Sequence, residues 1–228
     1  MEFITHFSGL TEAQVRMLFM HSQAIAEALK ENVAIVFPAP LVQEDMQIRY
    51  QFIDLPAPLV EQMQNKSARV EDMRRIGQAL RLMHRRRTPE GNTLLHGDFT
   101  PHNAYVTQDR LFIIDPHPPQ NLPFREDILY GDARRDVIAF LFGIFSDAGL
   151  KRALKDWPYY RNLASGFLSG YGPGRPFLLP ALRYGRDAYV IKRAHFSHLR
   201  SLARSVGCSV AALWVIWRSH GAKHAERL

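Results

Sequence analysis

The sequence is poor in cysteine, and this scarcity excludes several kinds of protein. Cys208 is the only cysteine among the 228 residues, so neither an intramolecular disulfide nor a cysteine-rich zinc cluster can form within the chain. Such a chain suits a reducing compartment, and we expect it in the cytoplasm. The sequence also has no run near the roughly 20 apolar residues that a membrane span needs, and no basic flank before an apolar run at its start. We therefore expect neither a spanning segment nor a secretion signal.

Acidic residues are scarce in the last third of the chain. Residues 1–150 contain 15 Lys and Arg against 19 Asp and Glu, whereas residues 151–228 contain 14 against 3. The overall charge of +7 therefore hides a strongly basic C-terminal part. A field of this sign attracts phosphate groups, nucleic acid or an anionic membrane surface, and a solvated basic surface is an equally good interpretation. Because no recognition motif accompanies the charge, we do not expect a nucleic-acid partner.

Hydrophobic residues make up 46% of the chain, which is enough to build the core of a folded globular protein. Apolar residues at helical spacing predict helices over residues 11–31 and 68–84, and helical patterns dominate from about residue 127. The runs AIVF and IRYQFI are short and rich in β-branched and aromatic residues, so we expect two antiparallel strands separated by QED. We expect the C-terminal helices to break at DWP, at GYGPGRP and near Gly207.

Two acids and an amide are spaced so that a hairpin would bring them together. Residues 96–103 read HGDFTPHN, and the following AYVTQDRLFIIDP predicts two strands joined by a turn at TQD. A loop centred on Asp109 pairs residues whose numbers sum to 218, so that Asn103 faces Asp115. Opposed residues lie about 4.5 to 5.5 Å apart between Cα atoms. Because hard cations such as Mg²⁺ prefer a carboxylate with another oxygen ligand, this pair beside Asp98 predicts a metal site.

These motifs resemble a known family. HGDFTPHN followed by IIDP is similar to the catalytic loop and metal-binding segment of kinase-like enzymes of the aminoglycoside phosphotransferase and choline kinase type. The resemblance implies that Asp98 is the catalytic acid, and that Asn103 and Asp115 hold the Mg²⁺ that accompanies ATP. It also implies that His96 packs against the catalytic loop and fixes it.

The resemblance covers roughly residues 11–145. YGDARRDVIAF is similar to a later segment of the family, in which Asp132 and Asp136 correspond to acids that brace the catalytic loop. PAPL and IRYQFIDLPA are similar to the strands that lead into the linker between two lobes, where the backbone receives adenine, and this implies a nucleotide contact at Gln51 and Ile53.

The resemblance implies an α+β, protein-kinase-like fold. We expect residues 1–55 to form a reduced N-terminal lobe of one helix and two strands, and residues 56–228 to form a mainly helical catalytic lobe. Such kinases clamp phosphates with a glycine-rich hairpin and a lysine on the third strand. Here Gly9 is the only glycine before Gly77, and Lys30 and Lys66 are the only lysines before Asp98. We therefore expect the first three strands to be absent.

Two functions remain open. The first is an ATP- and magnesium-dependent phosphotransferase acting on a small-molecule or sugar hydroxyl, in which an arginine, a protein partner or a second copy of the chain replaces the missing clamp. The second is a non-catalytic kinase-like protein that binds nucleotide or regulates a partner. The retention of Asp98, Asn103 and Asp115 favours the enzyme. A basic C-terminal lobe repels polycations, so we expect a neutral or anionic acceptor. Basic residues on a predicted helix provide candidate acceptor contacts: Arg183, Arg186, Lys192, Arg193, Arg200 and Arg204.

Several of these residues have plainer interpretations. Asp132 serves equally well as a cap of the helix that follows it. His96, His102 and His117 lack the tight helical spacing of a zinc site, so we do not expect zinc there. The C-terminal segment AALWVIWRSH, with Trp214 and Trp217, either docks its apolar face on the core, which we favour, or rests on a membrane surface.

Overall fold

The computed structural model describes residues 2–118, 122–172, 178–193 and 196–225. The N-terminal part contains β1 (Glu2–His6), α1 (Glu12–Leu29), β2 (Ile35–Val36), β3 (Pro40–Glu44) and β4 (Gln47–Gln51). The middle of the chain contains α2 (Leu59–Gln64), α3 (Val70–Met83), β5 (Thr93–Leu94), β6 (Ala104–Val106), β7 (Leu111–Ile113) and β8 (Tyr130–Gly131). The C-terminal part contains α4 (Arg134–Ser146), α5 (Leu150–Lys155), α6 (Trp157–Tyr171), α7 (Leu178–Arg193) and α8 (His198–Ala225).

The predicted pairing of the first strands is wrong. We expected AIVF to pair with IRYQFI, but β4 pairs antiparallel with β3, and β2 instead pairs parallel with β7 in a different sheet. The cause is the tight turn before β4, where Asp45 adopts a left-handed φ of 48°. Such a turn pairs β4 with the segment that immediately precedes it. That segment, PLVQE, has few β-branched residues and begins with proline, so its sequence gives a weak strand signal.

A strand does precede the first helix, contrary to the expectation that all three N-terminal strands are absent. β1 pairs antiparallel with β4, and the sheet order is β1-β4-β3. Phe3 of β1 stacks on Tyr50 of β4 with ring centroids 5.2 Å apart, which adds aromatic packing to the hydrogen-bonded ladder. The described part of the chain therefore contains a small N-terminal sheet with β1 and β3 at its edges.

The two long helices predicted near the start of the chain are confirmed as α1 and α3. Thr11 begins α1 with a capping box, in which the Gln14 main-chain N–H donates to the Thr11 hydroxyl and the Thr11 N–H donates to the Gln14 side chain. α1 then buries Leu18, His21 and Ser22 towards the rest of the protein. This orientation places the middle of α1 next to the catalytic loop.

Small residues allow the C-terminal helices to pack closely around an aromatic core. A Cβ atom on Gly170 would lie 2.0 Å from the Arg74 carbonyl oxygen, so α6 can approach α3 only because that position is glycine. Phe140 of α4 packs between Phe99 and Phe167, with ring centroids 5.2 and 4.4 Å away. This core holds Phe99, the residue after Asp98, against α4.

The predicted helix breaks have different outcomes. The break at DWP is confirmed, because α5 ends at Lys155 and α6 begins at Trp157. α6 ends at Tyr171, as GYGPGRP predicts, although residues 173–177 lie outside the described residues. The break near Gly207 is wrong: α8 continues through it. A Cβ at Gly207 would lie 2.6 Å from the Leu150 side chain, so this glycine provides close packing and not a turn.

The long C-terminal helix docks one face on the core, as we favoured. Ser205, Cys208, Ala212 and Val215 are buried in α8. By length and composition, His198–Arg218 would also suffice to cross a membrane, with a mean hydropathy of 1.3 and 39% of it buried. Core helices of globular proteins meet the same condition. Because this helix packs on the catalytic lobe along a continuous face, its composition is weak support for a span.

Candidate active site

One buried carboxylate holds the catalytic loop in place. The main-chain N–H groups of His96 and Gly97 donate to Asp136, with N···O distances of 2.6 and 3.4 Å. The His84 ring also contacts Asp136, with Nε2 3.1 Å from its Oδ2 atom. Burial opposes the charged form of Asp136, but the hydrogen bonds from His84 and His96 outweigh it, so the pKa of Asp136 is lowered. Asp136 is therefore an ionised brace of the loop, as the resemblance implies.

Asp132 does not share this role in the described structure. Its carboxylate accepts from the main-chain N–H of Arg134 at 3.0 Å and pairs with the same residue's guanidinium at 2.6 Å. Both contacts lie at the start of α4, so they correspond to the plainer interpretation, a residue that satisfies free N–H groups at a helix start.

His96 is a buried, neutral ring packed beneath the loop. Its ring meets Phe99 edge-on, with centroids 5.3 Å apart. Burial lowers the pKa of His96 to about 4, so the ring is uncharged at neutral pH. Within the described ranges, neither ring nitrogen has a hydrogen-bond partner. These observations agree with a residue that packs and fixes the loop, which is the role that the resemblance implies for it.

The amide of Asn103 is bonded directly to Asp98. A short 3-10 helix, Pro101–Asn103, turns the chain back after Asp98. The Asn103 Nδ2 group then donates to the Asp98 main-chain oxygen at 2.9 Å and to its carboxylate at 3.2 Å. Two predicted site residues therefore lie in contact, and the amide nitrogen fixes the orientation of the Asp98 carboxylate.

The predicted hairpin register is wrong by one residue. Tyr105 lies opposite Phe112, and the Ile114 N–H donates to the Asn103 carbonyl at 3.0 Å, so Asn103 faces Ile114 and not Asp115. The loop is a four-residue turn closed between Thr107 and Arg110, at 2.9 Å. Its centre therefore lies between two residues and not on Asp109. Asp115 therefore lies one residue beyond Ile114, the residue that faces Asn103.

Asp115 nevertheless lies close to Asp98. It adopts a left-handed φ of 54°, which turns the chain immediately after β7. Burial and then the negative charge of Asp115, followed by that of Asp147, raise the pKa of Asp98 to about 7. Loss of hydration likewise raises the pKa of Asp115. The structure thus brings Asp98, Asn103 and Asp115 into one neighbourhood. Asp98 and Asn103 are in direct contact, and Asp115 is close enough for its charge to raise the pKa of Asp98.

The donor set suits a hard cation such as magnesium. The Asn103 amide nitrogen is used on Asp98, so its oxygen is the atom that remains for a metal, together with the Asp115 carboxylate. Mg²⁺ takes few protein oxygens and completes its shell with water and phosphate oxygens. Within the described residues, no group of three or more His, Cys, Asp and Glu side chains gathers around a possible metal position. A magnesium site here would therefore use the amide oxygen as one of its protein ligands.

An apolar cavity of about 320 Å³ lies beside Asp115, between the N-terminal sheet and the catalytic lobe. Tyr50, Phe52 and Ile53 line one side, while Ile114 and Pro116 line the other. The main chain of residues 52–55 forms no hydrogen bond with other described main-chain groups. Flat apolar walls next to free main-chain donors and acceptors suit the binding of a planar heterocycle.

The two predicted adenine contacts differ in position. Ile53 lines the cavity. Gln51 is the last residue of β4, is exposed, and donates its main-chain N–H to the Ala39 carbonyl at 2.9 Å. Side chains alternate along a strand, so Tyr50 faces the cavity and Gln51 faces away from it. Ile53 is consequently the better placed of the two.

A hydrogen-bonded chain that sequence reasoning missed forms the wall of this cavity. The Tyr50 hydroxyl lies 2.6 Å from His117 Nε2 and 3.2 Å from the Ser22 hydroxyl. It joins β4, the segment after Asp115 and α1, three parts of the chain that are far apart in sequence. No local sequence motif indicates these contacts, because Tyr50, His117 and Ser22 each look like an ordinary core residue on their own.

The phosphate clamp of kinases has no counterpart in the described N-terminal sheet. β1 precedes the first helix, which is where the lysine-bearing strand of a kinase lies, yet its sequence EFITH contains no lysine. Phe3 of β1 lines the apolar cavity instead. On α1, the exposed Glu27 pairs with Lys30 at 2.6 Å, and Gln23 is exposed as well. In kinases the clamp lysine pairs with a glutamate on the helix that follows it, and β1 offers no lysine with which Gln23 or Glu27 could form that pair.

A second cavity, of about 260 Å³, is lined by Asp98. Phe142 of α4 and Tyr184 of α7 form apolar walls, and the polar groups include Asp147 and Lys192. Lys192 Nζ lies 3.6 Å from Asp147 Oδ1, and His102 Nε2 lies 3.6 Å from its Oδ2. The cavity thus combines aromatic surface with two carboxylates, Asp98 and Asp147, of which Asp147 pairs with Lys192.

Comparison with known proteins supports the fold. The structure is similar to that of the ethanolamine kinase of Plasmodium vivax, with a TM-score of 0.56 and 12% sequence identity over 96% of this chain and 77% of that chain. No protein-family model matches the sequence, and no curated protein matches it. The expectation of an α+β, kinase-like fold is therefore confirmed, whereas the narrower family resemblance stays a prediction.

Proposed function

We propose that this protein is an ATP- and magnesium-dependent phosphotransferase that acts on a hydroxyl group of a small molecule. The observation that carries the proposal is the position of Asp98. It is bonded to Asn103, lies within the electrostatic reach of Asp115, and lines the polar cavity, while Asp115 lines the apolar one. This is the arrangement that transfer between a nucleotide and an acceptor requires.

The nucleotide would occupy the apolar cavity. Its base would stack against Tyr50 and Phe52 and meet the main chain near Ile53, which places the phosphates towards Asp115. The Asn103 amide oxygen and the Asp115 carboxylate would hold the magnesium. When bound, the ion neutralises phosphate charge. It would also relieve the repulsion that raises the pKa of Asp98.

Asp98 would accept the proton of the attacking hydroxyl. In the free protein the pKa of Asp98 is about 7, and magnesium bound beside it would lower that pKa and keep the carboxylate ionised, able to accept a proton at neutral pH. The hydrogen bond from Asn103 aims the carboxylate, and the Asp136 brace fixes the main chain on which it stands. Catalysis of this kind depends mostly on position and electrostatics.

The acceptor would bind in the polar cavity. Two carboxylates, Asp98 and Asp147, line this cavity, and Asp147 pairs there with Lys192 at 3.6 Å. The aromatic walls from Phe142 and Tyr184 fit the apolar face of a sugar ring or a similar polyol. The excess of basic residues in residues 151–228 supports a neutral or anionic acceptor. Of the basic residues predicted to contact the acceptor, Lys192 is the one that lines this cavity.

A second function, nucleotide binding without turnover, is favoured by the lysine-free β1. A phosphoryl-transfer site that lacks a charged clamp loses orders of magnitude in rate. An added strand from a protein partner or a second copy would have to join the described sheet at an edge, and β1 is one of its two edges. Under this alternative, the cavities serve to recognise ligands and not to transfer a phosphoryl group.

Thermal-shift titration with ATP, in the presence and absence of magnesium, tests the proposal. We expect ATP with magnesium to raise the melting temperature of the wild type, because ligands that bind only the folded state stabilise it. Asp115→Asn should remove the magnesium-dependent part of the shift. Asp109→Asn, in the exposed turn of the same hairpin, is the matched control and should leave it unchanged. A shift that ignores magnesium and survives Asp115→Asn would contradict the metal site.

Turnover separates the enzyme from the binding protein. ADP release should depend on an added hydroxyl acceptor from a panel of neutral sugars, sugar phosphates and amino alcohols. We expect Asp98→Asn to reduce the rate by about 10² to 10⁴ while ATP binding persists. Nucleotide binding with no acceptor-dependent ADP release by the wild type across the panel would favour the non-catalytic alternative.

A further inference from the structure

The outer face of α8 carries a continuous line of exposed apolar side chains. Its members recur at intervals of three, four or seven residues, which places them on one side of a helix with 3.6 residues per turn. Each is between 46% and 76% exposed. We call them the apolar stripe: Leu199, Leu202, Val206, Val210 and Trp217.

The apolar stripe is not the face that holds α8 on the protein. The opposite face buries Ser201, Ser205, Cys208 and Ala212. The helix therefore has one apolar side that is used in packing and a second that faces outwards. An exposed apolar line of this length on a globular protein marks a contact surface. Trp217 at its end is the side-chain type that favours the boundary between apolar and aqueous phases.

Basic side chains border the apolar stripe on one side. α5 packs on α8 through Leu150 and Gly207, so the basic residues of both helices line the same open cleft. The two acids of that cleft are already engaged, Asp147 with Lys192 at 3.6 Å and Asp156 with Lys66 at 2.7 Å. We call the basic residues of this cleft the basic flank: Lys151, Arg152, Lys155, Arg200 and Arg204.

The charge of this region decides between two occupants of the apolar stripe. Residues 198–218 contain no acid, and the only acid of residues 178–197, Asp187, is buried and paired with Arg135 at 2.8 Å. A second copy of the chain docked along α8 would therefore bring basic groups towards basic groups, which disfavours association. An anionic lipid surface accommodates both features, because apolar side chains enter its outer layer and basic side chains meet its phosphates and carboxylates.

We infer that α8 docks this protein on the surface of an anionic membrane. The apolar stripe enters the boundary between lipid headgroups and acyl chains, the basic flank contacts the headgroups, and the buried face of α8 stays packed on the catalytic lobe. The inference does not depend on the proposed function, since it requires no turnover and no nucleotide.

Co-sedimentation of the full chain with vesicles tests the inference. We expect the wild type to bind vesicles that contain phosphatidylserine in phosphatidylcholine, to bind phosphatidylcholine vesicles about tenfold more weakly, and to be released by raised salt. Val206→Glu with Val210→Glu should weaken binding about tenfold or more. Lys151→Glu with Lys155→Glu should do the same with a reduced salt dependence.

The control is Val33→Glu, which makes the same chemical change at a valine that is 92% exposed and lies far from α8 in sequence. Val33→Glu should bind vesicles like the wild type. All of these variants should keep the melting temperature of the wild type, because the altered residues are on the surface. Equal binding to both kinds of vesicle would overturn the inference. So would a dimer that Val206→Glu dissociates, since a second copy would then cover the stripe. Retention that resists salt and alkaline carbonate would also overturn it, because it would indicate a helix inserted in the membrane.

Discussion

The side-chain amide of Asn103 donates to both the main-chain carbonyl and the carboxylate of Asp98. The same hydrogen bond lowers the pKa of Asp98, and burial together with the charges of Asp115 and Asp147 raises it. The effects that raise the pKa outweigh the hydrogen bond, so the ionised form of Asp98 lowers the stability of the folded protein. Activity and stability should therefore respond in opposite directions when this charge is removed.

Asp98→Asn should slow phosphoryl transfer by about 10² to 10⁴ without weakening the fold. The substitution keeps the size of the side chain and removes repulsion from Asp115 and Asp147, so the free energy of unfolding at neutral pH should equal or exceed that of the wild type. Urea unfolding and acceptor-dependent ADP release measure the two effects. A marked loss of stability would show that the carboxylate is needed for folding, contrary to the geometry described here.

Removing the charge of Asp136 should destabilise the protein, whereas the same change at Asp132 should not. Asp136→Asn weakens the bonds to His84 and to the main chain of the catalytic loop, and loss of a buried ionic contact costs about 3 kcal/mol or more. Asp132→Asn alters only an exposed contact at a helix start, so the change should stay within about 0.5 kcal/mol. Urea unfolding of both variants checks this contrast, and equal effects would contradict the brace.

Gly143→Ala should displace the catalytic loop. A Cβ atom at Gly143 would lie 2.4 Å from the ring of Pro101, in the short helix that carries Asn103. Overpacking of this kind costs about 1 to 3 kcal/mol, and we expect a larger loss of turnover than of nucleotide binding. Gly185→Ala in α7 is the control, since its Cβ would meet only the end of the Ser209 side chain at 3.0 Å. Comparable losses in both variants would argue against a specific effect on the loop.

Acid should destabilise the protein through its buried histidines. Burial lowers the pKa of His21 from 6.5 to about 4. Between pH 6.5 and pH 4, His21 is therefore protonated in the unfolded chain and neutral in the folded one. The stabilising contribution is complete above pH 6.5 and declines as the pH falls towards 4, by about 1.4 kcal/mol for each unit of pH.

His21→Gln tests this linkage, because glutamine can still donate to the Leu95 carbonyl that His21 contacts at 2.6 Å. The free energy of unfolding of the variant should fall less steeply in acid than that of the wild type. The difference in slope should correspond to about one proton fewer taken up on unfolding. His96 and His117, whose pKa values burial lowers to about 4 and about 3, should sustain the remaining slope. Urea unfolding at a series of pH values measures it, and parallel curves for both proteins would contradict the assignment.

The contact between Asp98 and Asn103 could be predicted from the sequence because it is local. Asp98 and Asn103 are separated by five positions, so a single turn of chain brings them into contact, and the residue types alone indicate that contact. The exact register was missed because it depends on whether the loop has an odd or even number of residues, which Thr107 and Arg110 decide by closing a four-residue turn.

Contacts between distant segments could not be predicted from the sequence. The pairing of β2 with β7 and the bond between Tyr50 and His117 join residues more than 60 positions apart. Such contacts arise from the packing of whole elements. β1 was missed for a related reason, since EFITH becomes a strand by pairing with β4 and its own pattern is too short to indicate one. The polar cavity depends on α7 meeting α4, and it was equally invisible.

The carboxylate of Asp136 ties the loop to the helical core independently of any ligand. Its bonds to His84, His96 and Gly97 are complete in the free protein, so the start of the loop is held in place before any ligand binds. Binding energy is then not consumed in ordering this segment. Differences in affinity among substrates should consequently reflect the two cavities and not the cost of folding the loop around them.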